Sequence, residues 1–200
     1  VRIALREQLR PVDAFDAVTK INLDAADSKN LADVVPGVPT PAAAEWLFGY
    51  LHGQRDDAGN FTRYLAHATR YLPAERLTDL FEFARESCGD DLRRQAAVIL
   101  VVNEGLQSRG VKSPEAVATW AVETGRQLIE SNQPENAREA IWLARALKLE
   151  TLGEPISAIA AGRSPYESLR ADAMSMLAEV HLDRSLQFLR NPTRVGDLHE

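Results

Sequence analysis

Apolar residues recur at helical spacing along almost the whole chain, and no segment sustains the alternation that a half-buried strand requires. Ile3, Leu5 and Leu9 form one stripe, ended by Pro11, and Phe15, Val18 and Ile21 a second. Leu31, Val34 and Val35 give a short third, stopped at Pro36-Gly37. Trp46, Leu47, Tyr50 and Leu51 share one helix face, as do Phe61, Leu65, Ala68 and Leu72, and then Leu77, Leu80, Phe81 and Ala84. Further on come Val117, Trp120, Ala121, Thr124 and Leu128, then Ala140, Ile141, Ala144 and Leu147, then Leu169, Ala173, Leu177 and Val180. From Leu92 to Leu106 the pattern is apolar nearly all round, which predicts a central helix covered on both sides, with Ile99 inaccessible.

The breaks carry helix-start and helix-stop chemistry. Thr40-Pro41, Ser113-Pro114 and Ser164-Pro165 each offer a hydroxyl to an orphan backbone N–H, followed by a residue that has no N–H to orphan. Glu167 and Glu135 complete capping boxes with Ser164 and Asn132. Asp90-Asp91 supplies an N-cap and favourable charge for the helix that begins at Leu92, and Gly89 and Gly110 stand where a helix end wants a left-handed residue. The pattern predicts an all-α chain of about ten helices with short loops. Antiparallel pairs that follow one another suggest an irregular right-handed α-solenoid, and the same pattern fits an irregular helical bundle. The expected organisation is one helical-repeat domain over residues 1–190 and a tail over 191–200.

Composition narrows the function classes. The 200 residues carry a net charge of −6 and one cysteine. That excludes an internal disulfide framework and a thiolate-rich metal cage. The acidic balance argues against nucleic acid, and the longest apolar run, Ala96 to Val102, is far short of a membrane span. The chain opens on Val1 inside an amphipathic pattern, which predicts a fragment or a processed product whose compartment its start does not reveal.

The segment from Ser164 to Val180 resembles a HEAT-type repeat. Leu169-Arg170, Ala173 and Leu177 match the L/V-R-x-x-A-x-x-x-L core of such repeats, and Arg184 to Leu189 supplies a second helix after a short turn. Val1 to Leu9 matches the second half of a preceding repeat. Leu31 to Leu47 looks like the helical regions of large bacterial multidomain proteins, where HEAT-like (HEAT/ARM) arrays accompany haem-binding, dehydrogenase-like or sugar-active domains, often outside the cytoplasm. The resemblance implies a solenoid HEAT/ARM-like in its stacking and a non-catalytic interaction or scaffold module of a larger protein. Its partner would be another protein or an adjacent domain of the same polypeptide, with no cofactor of its own and an extracytoplasmic, periplasmic setting. The alternative is an accessory helical region that completes the substrate site of an attached sugar-active or redox enzyme.

No residue set carries a catalytic or metal-binding signature. His52, His67, His181 and His199 lack ligand spacing and read as solvent-facing or helix-end imidazoles. Cys88 sits among acids at a predicted helix C-terminus, both of which disfavour a thiolate. Asp56-Asp57 reads as an exposed loop, and the arginines at 6, 10, 93, 94, 163 and 170 as solvated. Aromatics cluster between Trp46 and Phe83. The cluster reads as a packed core under three adjacent helices, but Phe48, Tyr64, Tyr71 and Phe83 fall partly off the apolar stripes, so they either pack on a neighbouring repeat or are candidate partner contacts on an exposed patch for a protein or a sugar ring. Met174 and Leu186 are two more, because they leave the C-terminal repeat more apolar than a good cap.

Overall fold

The computed structural model describes residues 2–11, 13–53, 58–161 and 166–190. Among them it is all-helical: twelve α-helices and four short 3-10 turns, without a strand. None of the described helices is long and apolar enough to cross a membrane. Two compact units divide the chain, Val1–Ser87 with Glu104–Lys112, and Cys88–Asn103 with Ser113–Glu200.

The first unit holds α1 (Arg2–Gln8), α2 (Ala14–Val18), α3 (Ala25–Val34), α4 (Pro41–Gly53), α5 (Ala58–Tyr71) and α6 (Leu77–Cys88, its last residue counted with the second unit). Helix α7 (Leu92–Ser108) gives the first unit its residues from Glu104 onward and the second unit those before. Helices α4 and α5 pack together, with a 3-10 turn at Val35–Gly37 touching both. Their shared core is Ala43, Leu47, Leu51, Leu65 and Ala68, all buried at the helical spacing that the stripes predict. The Thr40 hydroxyl accepts from the Ala43 N–H at 3.3 Å, which caps α4 as its sequence proposes.

The second unit holds the start of α7, then α8 (Glu115–Glu130), α9 (Pro134–Leu147), α10 (Gly153–Ala160), α11 (Arg170–Val180) and α12 (Leu182–Leu189). Consecutive helices pack on one another: α8 on α9, α10 on α11 and α11 on α12, with α11 also against α9. Asp91 Oδ1 accepts from the N–H groups of Arg93 and Arg94, both at 3.1 Å, so the predicted cap of α7 forms. Ile99 and Val102 are fully buried; Leu100 and Val101 are half-buried and Ala97 is exposed, so α7 keeps one open edge. Gly89 and Gly110 adopt φ of +53° and +69°, the left-handed conformation expected of them.

Two cap expectations change. Asn132 is itself left-handed, with φ of 56°, and its side chain opens no box with Glu135. Its short polar side chain tolerates that region, so it ends the turn after α8, and α9 begins at Pro134 with Gln133 before it. Ser113 sits one residue early. Its hydroxyl donates instead to Asn103 Oδ1 at 2.7 Å, and Asn103 Nδ2 donates to the Ala146 carbonyl, a polar link between α7 and α9. Ser164-Pro165, Asp56-Asp57 and the tail over 191–200 lie outside the described residues.

Candidate functional site

The most chemically distinctive place in the first unit is a cavity of about 250 Å³ between α5 and the end of α7. Helix α5 brings Arg63, His67, Arg70 and Tyr71 to it at i, i+4, i+7 and i+8, which is one face of a helix. Glu104 and Ser108, one turn apart on α7, line the other wall. Gly105 between them lets the two helices close in, and Arg109 locks the approach by donating to the carbonyls of Thr69 (3.0 Å) and Leu72 (2.8 Å) at the end of α5.

His67 is buried, at 5% exposure, as is Gly105, whereas Arg63, Arg70, Glu104 and Ser108 are exposed. Its Nε2 has no hydrogen-bond partner. Burial, helped by the neighbouring Arg70 charge, pushes its pKa down to about 4, so the ring is neutral at neutral pH. The reading of His67 as a solvent-facing or helix-end imidazole is therefore corrected, because α5 turns it inward beside Tyr71, ring centroids 4.8 Å apart. Arg70 lies over the Tyr71 ring at 5.4 Å. Arg63 pairs with Asp33 of α3 and also donates to the Tyr64 hydroxyl, which itself donates to Asp33 Oδ1 at 2.8 Å. Burial, reinforced by that bond to Asp33, pushes the Tyr64 hydroxyl up to about 12.

The four off-stripe aromatics do not form one exposed patch. Phe48 and Tyr64 are buried, which overturns their reading as surface contacts: both point between helices of the first unit. Phe83 is half-buried, stacked on His52 at 4.3 Å and edge-on to Phe48 at 5.7 Å. Tyr71, also half-buried, stands apart in the cavity. His52 is exposed at the end of α4, its Nδ1 donating to the Phe48 carbonyl at 2.9 Å, in keeping with a helix-end imidazole. A second, more open groove of about 540 Å³ runs beside α4, where Trp46 stacks on Tyr50 at 5.8 Å and Gly49 and Gly53 leave the helix surface bare.

In the second unit Met174 is half-buried and Leu186 is 36% exposed. Leu182, one turn before Leu186 on α12, is 62% exposed, whereas Ser185, next to Leu186 in the helix, is buried. Trp142 on α9 is 46% exposed. Both additions have a signal in the sequence: Trp142 lies off the stripe of Ala140, Ile141 and Ala144, and Leu182 shares a face with Leu186. The side chains of Phe188 and Leu189 are outside the described residues.

Cys88 ends α6, is buried, and has its thiol pushed up to about 11 chiefly by burial, against a smaller opposite pull from Arg94. Among the described residues no three His, Cys, Asp or Glu side chains are grouped to hold a metal ion. No protein family, curated protein or solved structure matches this chain.

Proposed function

We propose that the chain is a non-catalytic helical interaction module, an irregular HEAT-like array of stacked helix pairs that binds another protein surface, either a separate partner or an adjoining domain. The observation that carries this reading is the face of α12. Leu182 and Leu186 stand one turn apart and open to solvent, while Ser185 is turned into the unit. A surface helix normally points its apolar stripe at the core and its polar side at water, and α12 gives two leucines to the water. Met174 of the neighbouring α11, half-buried, adds to the apolar character of this end. The packing of α8 on α9, of α10 on α11 and of α11 on α12 supports a reading of stacked helix pairs.

Site-specific photocrosslinking tests the reading in the cell that makes the protein. A photoreactive residue at Leu186 is expected to give a discrete adduct, and the same residue at exposed Lys148 none. Equal crosslinking from both positions, or none from Leu186, overturns it.

The groove beside α4 favours a second reading, an accessory region that adds to the substrate site of an attached sugar-active enzyme. The stacked pair of Trp46 and Tyr50, with Glu45 and Asn22 at its margin, offers aromatic and polar groups of the kind a sugar ring contacts. Saturable quenching of tryptophan fluorescence by an oligosaccharide, lost in Trp46→Phe, would favour this reading over the first.

A further inference from the structure

A polar atom taken out of water is normally hydrogen-bonded, and one that is not calls for a partner that is sometimes present. His67 Nε2 is such an atom, and its ring lines a cavity rather than a packed interior. The cavity is edged by two guanidinium groups. Asp33 already neutralises Arg63, but Arg70 has no ion pair among the described residues and is held in place over the Tyr71 ring. Glu104 is the only acid among the described residues of the lining.

We propose that the cavity between α5 and the end of α7 binds a small oxyanion, a carboxylate or phosphate group, seated between the Arg70 guanidinium and His67 Nε2. Arg70 offers the planar fork of donors that suits such a group, and the Nε2–H tautomer of neutral His67 offers one donor more. At about 250 Å³ the cavity suits a metabolite-sized molecule rather than a polymer chain. Tyr71 supplies a flat apolar wall for the remainder of the ligand, and Glu104 across the cavity sets a repulsive limit against a second negative charge. This site is independent of the α12 face.

Binding an anion beside His67 favours its protonated form. The titratable and charged groups that line the cavity with the ring are Arg63, Arg70, Tyr71 and Glu104, and the added negative charge opposes the pull of Arg70. Affinity should therefore rise as the pH falls from neutral toward 5.

The test is titration of the whole chain with inorganic phosphate and, separately, with succinate, following the His67 imidazole proton by NMR. Saturable binding of either probe, with an upward shift of the His67 titration, is expected. Saturation by phosphate alone assigns a phosphate-bearing ligand, and saturation by succinate alone a carboxylate. Arg70 is exposed, so Arg70→Gln should stay folded by circular dichroism and bind at least tenfold more weakly. Glu104→Gln should bind at least twofold more tightly and keeps the proposal testable if Arg70→Gln fails to fold. No saturable shift with either probe, or affinities unchanged in a folded Arg70→Gln or in Glu104→Gln, overturns the proposal.

Discussion

Gly105 of α7 lies against Thr69 of α5 so closely that a β-carbon at Gly105 would fall 2.7 Å from the Thr69 Cβ and 2.8 Å from its Cγ2. Thr69 cannot swing aside, because its hydroxyl donates to the Leu65 carbonyl at 2.8 Å and its side chain is fully buried. The Ala66 carbonyl, a backbone atom, stands 3.4 Å away on the same side. Replacing glycine by alanine inside a helix ordinarily gains about 0.5–1 kcal/mol. Here the overpacking cost of about 1–3 kcal/mol is larger. Gly105→Ala should lower stability by about 1–2 kcal/mol in urea unfolding, whereas Gly49→Ala, whose β-carbon would meet nothing within 4 Å, should not lower it.

His67 makes the first unit acid-sensitive. Its folded pKa of about 4 lies below the ordinary value of 6.5, so between those values the unfolded chain takes up a proton that the native ring refuses. Stability is complete above pH 6.5 and falls as the pH drops toward 4, by about 3 kcal/mol in all. Thermal unfolding between pH 7 and 4 should show this slope, and His67→Leu should flatten it. The same slope in both proteins would mean that another group carries the acid sensitivity.

Ile99 sits at full burial near the middle of α7. Truncation removes apolar contacts and leaves a cavity, so Ile99→Ala should cost about 2–5 kcal/mol. Ala97→Ser on the exposed edge of the same helix should stay within about 0.5 kcal/mol of the parent. A loss below about 1 kcal/mol at Ile99 would put this helix on the surface.

Cys88 should resist thiol reagents in the native chain. Its thiol, pushed up to about 11 by burial, is almost wholly protonated at pH 8, and little of it reaches solvent. Reaction with an aromatic disulfide at pH 8 should be slow in buffer and complete within seconds in 6 M guanidinium (a concentration on the order of those that unfold most domains). Fast native labelling would contradict the burial of α6's last residue.

Helix existence was legible because burial follows the 3.6-residue stripe: Phe61, Leu65, Ala68 and Leu72 are all buried, as are Val117, Trp120, Ala121 and Leu128. Short elements were harder to see. Helix α10 over Gly153–Ala160 has too few turns to display a period, and α2 stops at Val18, leaving Ile21 exposed. The sites were the least legible. A stripe ranks residues by local spacing, but Phe48 and Tyr64 are buried by neighbouring helices that approach from off the stripe. His67 acquires its character from α7, nearly forty positions on in the chain, through the gap left by Gly105, and no local pattern around residue 67 carries that contact.

The interaction-module account is tested most directly by hydroxyl-radical footprinting of Leu182 and Leu186, in the chain alone and in the assembly recovered intact from the cell. Both leucines should oxidise readily in the isolated chain, where they are 62% and 36% exposed, and both should be protected in the assembly while Lys148 and its neighbours remain unchanged. Equal oxidation of the two leucines in both states would contradict the account.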